Sequence, residues 1–202
     1  MEIAGNKWKI VSGGQTGADR AGLAAAIASK MPIGGWVPRG RRAEDGTVPS
    51  VFYGMREHPK SDYRARTRAN VVDSDATLIL TDRFPLSRGT ALTARLASEL
   101  GRPCKVVHVA DPDAAAKKIA DWMRELEERG NPGGGRGFRV LNVAGPRESV
   151  APGIFEKAKA VLVKAFADLR APAACRYEPG DGGFGGLMAA ERADADYRSS
   201  ED

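Results

Sequence analysis

Apolar and polar positions alternate in blocks along the first 170 residues, and the blocks predict strands and helices in turn. Short runs that are apolar on both faces, such as Ala-Thr-Leu-Ile-Leu-Thr at 76–81, predict strands covered on both sides of a sheet. Strands are expected over 8–12, 33–37, 76–81, 105–109 and 139–143. Between them, stretches with helical spacing predict helices from about 18 to 30, 62 to 72, 90 to 100, 112 to 130 and 153 to 169. The helix near 112 carries Ala115, Ile119, Trp122 and Leu126 on one stripe, and Asp111-Pro112 supplies a cap with proline at the first helical position. Pro32 and Gly101 are the stop signals of the first and third helices.

Strands alternating with helices imply a mainly parallel sheet with helices on both faces. Ligands in such folds bind outside the C-terminal ends of the strands. Three loops with glycine and polar groups fall there: 13–19, 82–90 and 144–149. The first reads Gly-Gly-Gln-Thr-Gly-Ala-Asp. A glycine turn followed by a helix N-terminus presents free N–H groups and the positive end of the helix dipole to an anion. Gly17 is followed by Ala18-Asp19, so this is not a Walker loop, and Ser12 stands where a dinucleotide fingerprint has its first glycine. An anion site and a plain tight connection both satisfy the pattern. In the second loop Ser87 or Thr90 is placed to cap the helix, beside Arg88.

Residues 38–60 are longer than an ordinary connection and carry Arg39, Arg41 and Arg42, which suit either a phosphate clamp or a solvated loop. The helix from 62 presents Tyr63, Thr67 and Asn70 on one face with Arg64, Arg66 and Arg68 nearby, a pattern that fits a site lining or a solvent face.

The chain has 202 residues, 42% of them apolar, enough for one sizeable core. No apolar run approaches the ~20 residues a membrane span needs. The N-terminus lacks a signal-peptide layout, so a cytoplasmic location is expected. Cys104 and Cys175 have no metal-ligand spacing, and His58 and His108 do not pair, so no metal site is expected. Cys104 is expected to start a buried strand and His108 to be structural. Residues 171–202 hold three arginines and seven acids, net −4, which leaves +9 on residues 1–170. The expected division is therefore one ligand-binding domain over 1–170 and a largely disordered tail over 171–202, with a docked segment near 184–188. A basic body suggests an anionic partner. Trp36 stands alone beside the basic loop and no nucleic-acid motif is present, so nucleic acid is not the expected partner.

Taken together, SGGQTGADRAGL (12–23), GGWVPRGRRAEDG (34–46), DYRARTRANVVDSDATLIL (62–80), RGTALT (88–93), GRPC (101–104) and RVLNVAGPRESVAPGI (139–154) resemble the molybdenum carrier proteins. That family is related to the LONELY GUY phosphoribohydrolases and the lysine-decarboxylase-like proteins. The resemblance covers about residues 8–167. It implies a Rossmann-like three-layer α/β sandwich and binding of molybdenum cofactor, a phosphorylated pterin held for storage and protection until an apo-molybdoenzyme receives it. It also implies a homo-oligomer, dimer or tetramer. Carried over onto the matching blocks, Gly13, Gly14, Gln15, Thr16 and Gly17, with Ser87, Arg88, Gly89 and Thr90, would hold the phosphate. Arg39 and Arg41 would add charge, and Asn70 lies in the matching helix-to-strand block. The pterin dithiolene, not the protein, would hold the molybdenum.

The chain departs from the enzyme branch of this group. The phosphoribohydrolases carry a Pro-Gly-Gly-x-Gly-Thr loop with a glutamate soon after. Here the loop is Pro85-Leu-Ser-Arg-Gly-Thr90, and Leu92 and Thr93 stand where the carboxylate would be. Glycosidic cleavage needs such a group, so the departure argues for binding rather than hydrolysis. A nucleotide-processing hydrolase stays open as the alternative if Asp19, Asp73 or Asp75 has taken over. Asp19 also has a role without chemistry, as an acid in a first helical turn.

Overall fold

The structure is a computed structural model that describes residues 7–129 and 139–171. The expectations for the N-terminal residues 1–6, the link at 131–137 and the tail from 172, including Cys175 and the 184–188 segment, lie outside the described residues. In chain order the elements are β1 (Trp8–Val11), α1 (Ala18–Ala28), β2 (Ile33–Val37), a 3-10 turn (Arg39–Arg41), β3 (Arg42–Ala43), β4 (Gly46–Thr47) and β5 (Met55–Glu57). There follow α2 (Tyr63–Val72), β6 (Ala76–Thr81), α3 (Arg88–Glu99), β7 (Cys104–His108), α4 (Pro112–Glu128), β8 (Arg139–Ala144) and α5 (Ile154–Arg170).

Six strands form one sheet in the order β5-β2-β1-β8-β6-β7, and every pairing in it is parallel. The fold is an α/β Rossmann-like sandwich: α1, α4 and α5 pack together as one layer, and α2 and α3 pack as a pair of their own. β8 comes last in the chain yet sits between β1 and β6, with Val11 opposite Asn142 and Thr77 opposite Asn142 on the other side. This places the C-terminal ends of β1, β8 and β6 side by side. It is the junction where the first strand turns outward to β2 and β6 turns outward to β7.

The main apolar core lies under the α1, α4, α5 layer, with Ile10, Leu78, Leu80, Leu141, Ile119, Met123, Leu162 and Phe166 fully buried. The opposite layer rests on a much smaller cluster of Val71, Leu96 and Ala97. The predicted caps are present where the side chains allow. Asp62 accepts from the Arg64 and Ala65 amides at the start of α2, and Asp111 does the same for Asp113 and Ala114 at α4, each in place of a missing intrahelical partner.

Two expectations are corrected, the burial of Cys104 and the reading of 38–60 as a plain loop. Cys104 is exposed, not buried, because among the described residues β7 is an edge strand with no strand on its outer side; only Val107 of that strand is buried. His108 is likewise exposed and stacks on Phe84, ring centroids 6.0 Å apart. The stretch 38–60 is not a simple loop. It holds the antiparallel β3–β4 hairpin and the short strand β5, which extends the sheet beside β2.

Candidate functional site

A cleft of about 260 Å³ opens at the junction of β1, β8 and β6, roofed by α2 and the start of α3. Seven of the residues expected from sequence line it: Gly13, Gln15, Asn70, Ser87, Arg88, Gly89 and Thr90. Gly14, Thr16, Gly17, Arg39 and Arg41 do not. A Cβ on Gly14 would meet Val37 and Val48, and one on Gly17 would lie 2.6 Å from the Pro146 carbonyl oxygen, so these glycines serve packing of the loop against its neighbours. Arg41 donates to the carbonyls of Val48 and Pro49 and braces its own loop, while Arg39 is exposed.

The protein itself satisfies three of the amides of the glycine turn and helix start. The Gln15 amide donates to Asp19 Oδ2 at 3.3 Å, the Thr16 amide to Gln15 Oε1 at 3.1 Å, and the Ala18 amide to the Pro146 carbonyl at 3.1 Å. Thr16 Oγ1 donates to Glu44, and that carboxylate also receives the amide and hydroxyl of Ser149. Glu44 thus ties the β3–β4 hairpin to two of the three strand-end loops. Partial burial opposes its charge, but the Ser149 and Thr16 hydroxyls, the Ser149 amide and nearby Arg147 hold the carboxyl below its ordinary value. Arg20 joins the same clamp through a bidentate contact with Asp45 at 2.6 and 2.7 Å.

The start of α3 is built differently. Ser87 occupies the cap position but caps no backbone amide; its hydroxyl pairs with Thr90 Oγ1 at 2.9 Å instead. Among the described residues no protein acceptor meets the amides of Arg88, Gly89 and Thr90, which point from the first helical turn at the cleft. A Cβ on Gly89 would meet nothing within 4 Å. Here the donors and the dipole end are open to an anion.

Arg66 faces this helix start from α2. Its guanidinium lies against Gly13, where a Cβ would sit 1.5 Å from Nη1 and 2.3 Å from the guanidinium carbon. Only glycine leaves room for it. Arg66 is 9% exposed, its Nη1 donates to Asp19 Oδ2 at 3.3 Å, and its Nε is buried with no partner. Tyr63 lies over the same guanidinium at 5.8 Å. Asp19 is 6% exposed, and burial pushes its carboxyl above the ordinary value against the pull of Arg66. Asn70 closes the cleft wall: its Oδ1 accepts from the Trp36 amide at 2.8 Å and its Nδ2 donates to the Trp36 carbonyl at 3.0 Å.

Sequence reasoning did not single out Arg66 from its neighbours, nor Asn142 and Arg147 at the β8 end, all of which line the cleft. The mixed Arg64, Arg66, Arg68 pattern held no sign of which arginine turns inward. The signal is the pairing of a side-chain-free Gly13 with Asp19, the second residue of the next helix, visible only once α2 is placed over β1. Among the described residues no three His, Cys, Asp or Glu side chains converge on a metal position. No helix of the described residues is long and apolar enough to cross a membrane.

A family model described as the circularly permutated YpsA SLOG family matches residues 10–166. The chain belongs to this family. A crystal structure named "Putative molybdenum carrier protein", from Syntrophus aciditrophicus SB, is 41% identical, covers 78% of this chain and 93% of its own, and superposes with a TM-score of 0.69. No curated protein matches. The relation to molybdenum carrier-like members of this SLOG family, legible in the sequence blocks, is thereby shown, and it spans the domain that carries the cleft.

Proposed function

We propose that this SLOG-family domain is a carrier for an anionic small molecule, with molybdenum cofactor, a phosphorylated pterin, as its ligand. The observation that carries this is the uncapped start of α3, with free amides at 88–90, facing the buried Arg66 with its unpartnered Nε. A phosphate seated between them would receive helix-end N–H donors and a guanidinium in a water-poor cleft, where such hydrogen bonds are strongest. Ser87, Thr90 and Arg88 would complete that seat, and the name of the 41% identical neighbour supports the choice of ligand. Pterin, when bound, would bring its own dithiolene for molybdenum, which suits a site without a converging metal-ligand set among the described residues. The cleft volume of about 260 Å³ lies just below the range usual for ligand pockets, about 300–1,000 Å³. The recipient would be an apo-molybdoenzyme, and the carrier would act as a homo-oligomer in the cytoplasm, with the tail beyond residue 171 outside the binding domain.

The deciding experiment is mass spectrometry of the small molecule that co-purifies with the protein from cofactor-producing cells, with molybdenum measured on the same sample. The expected result is a phosphorylated pterin with near-stoichiometric molybdenum in wild type and its loss in Arg66→Met. A nucleotide without molybdenum, or an empty protein, would sink the proposal. One observation favours a second reading. Asp19, one of the carboxylates that stood as a substitute for the missing glutamate, lines the cleft with a raised carboxyl, as a general acid of a nucleotide hydrolase would. Asp73 does not line the cleft: it is tied to Trp36 and Arg56. Asp75 likewise lies outside it, bonded to the Val140 amide. Release of free base from nucleoside monophosphates, abolished in Asp19→Asn, would establish hydrolysis in place of carriage.

A further inference from the structure

The cleft contains a carboxylate where an anion site would be expected to exclude one. Of the charged side chains that line it, four are arginines, Arg64, Arg66, Arg88 and Arg147, and one is an acid, Asp19. Arg64 and Arg88 are exposed at the rim, and Arg147 is drawn partly toward Glu44 at 3.7 Å. Arg66 alone is buried, and it is the one that Asp19 holds. The groups facing Asp19 are the Arg66 guanidinium from α2, the Gln15 amide from the glycine turn and Ser12 from the end of β1. Among the described residues no second acid lines the cleft.

We infer that Asp19 is a built-in counter-ion for Arg66 that an incoming anion must replace, so that each anion bound draws one proton onto Asp19. The inference rests on the anion-binding proposal above and adds to it how the site is regulated. Two negative groups cannot both lean on one buried guanidinium without strong repulsion, because the low local dielectric around the Arg66–Asp19 pair magnifies it. The guanidinium sits in the space that the absent Gly13 side chain leaves, next to Asp19, so a ligand that reaches it there also meets the Asp19 charge. Protonation of Asp19 is the cheaper escape, and burial has already moved its carboxyl in that direction. In the protonated state Asp19 still accepts from the Gln15 amide, so the turn is kept while the negative charge is removed. Between the Asp19 titration of the free protein and that of the complex, binding consumes a proton, and affinity falls as pH rises. Ligand is therefore held more tightly in acid and released toward alkaline pH.

The test uses inorganic sulfate, whose charge is constant across the range, titrated into the full-length protein between pH 5 and pH 9. Binding is followed by the amide resonances of Gly13 and Gly89. In wild type the sulfate Kd is expected to rise toward tenfold per pH unit above the Asp19 titration. Asp19→Asn, which keeps an acceptor oxygen for Gln15, is expected to bind more tightly at neutral pH and with a flat profile. The carbon resonance of the Asp19 carboxyl in wild type gives a second readout that needs no variant: sulfate should shift its titration upward. A flat wild-type profile with sulfate bound, an unmoved carboxyl titration, or weaker binding by Asp19→Asn overturns the inference and leaves the anion site standing. No sulfate binding by either protein at any pH overturns the anion site, and the inference with it.

Discussion

At the scale of single residues, the buried pair of Arg66 and Asp19 and the open glycine at 89 carry distinct consequences. Removing one partner of a buried ion pair leaves the other charge uncompensated, which costs about 3–5 kcal/mol. Arg66→Met should therefore lower stability by about that much at neutral pH, measured by chemical denaturation. Sign follows from the acid that remains. Asp19 is already shifted up by burial, and without the guanidinium it shifts further. A group whose carboxyl is raised in the folded state costs stability only as pH climbs from the ordinary carboxylate range through the raised value, so the penalty should shrink as pH is lowered toward that range. A penalty independent of pH would mean that lost packing, not the orphaned charge, is the cause. Gly89 offers the opposite test. It stands in the first turn of α3 with ordinary helical backbone and nothing within 4 Å of a Cβ. The fold gives no reason for glycine there, and helix propensity disfavours it. Gly89→Ala should stabilise the free protein by about 0.5–1 kcal/mol while weakening anion binding at least tenfold, seen as a higher Tm beside a higher Kd. A variant that binds as well as wild type would show that no ligand comes close to Gly89.

At the scale of elements, what sequence reveals follows from how local the determining forces are. The buried strands were legible because both-sided burial writes itself as a near-continuous apolar run, as in β6, whose residues are all buried; β8 is buried throughout as well, though Arg139 and Asn142 break its run. The capped helices were legible because Asp62 and Asp111 act within three residues of themselves. β5 was not legible. Met55-Arg56-Glu57 has no strand-like pattern, and it is held by a parallel ladder to β2, with Gly35 opposite Met55, and by a salt bridge from Arg56 to Asp73 at 2.9 Å. The division of labour between the two helix starts was also hidden. Both α1 and α3 follow a strand, yet ahead of and at the start of α1 the Gln15, Thr16 and Ala18 amides are met by Asp19, Gln15 and Pro146, partners whose identity depends on tertiary placement. The β3–β4 hairpin shows the same dependence through Glu44. Its carboxyl is held below the ordinary value, so the stabilisation it gives is present above the unfolded carboxylate range and lost as pH falls through the lowered value. Glu44→Gln should accordingly shift the Ser149 amide resonance at neutral pH to the position that wild type reaches only in acid. Coincidence of mutant and wild type at neutral pH would show that Glu44 does not hold the 144–149 loop.

At the scale of the whole domain, the two helical layers are unequal, and the cleft sits on the weaker side. α1, α4 and α5 share one continuous apolar core with the sheet, while α2 and α3 meet over Val71, Leu96 and Ala97. Much of what α2 and α3 bury instead is polar: Arg66, Asn70, Thr90 and Thr93. Apolar burial contributes about 25 cal/mol per Å², whereas buried polar groups gain little net stability and cost much when left unpaired. The α2–α3 layer should therefore open locally at lower free energy than the rest, as elements that handle ligands commonly do. A ligand bridging the α3 start and Arg66 would supply the missing partner to both helices at once, and its binding energy would add to their local stability. Amide hydrogen exchange tests this directly. Without ligand, amides in the interiors of α2 and α3 should exchange faster than those of α4 and α5. Saturating anion should slow α2 and α3 together while leaving α4 and α5 unchanged. Uniform slowing of all five helices would mean that the ligand acts on global unfolding alone. Protection confined to α1 would place the anion at the glycine turn at 13–17 instead.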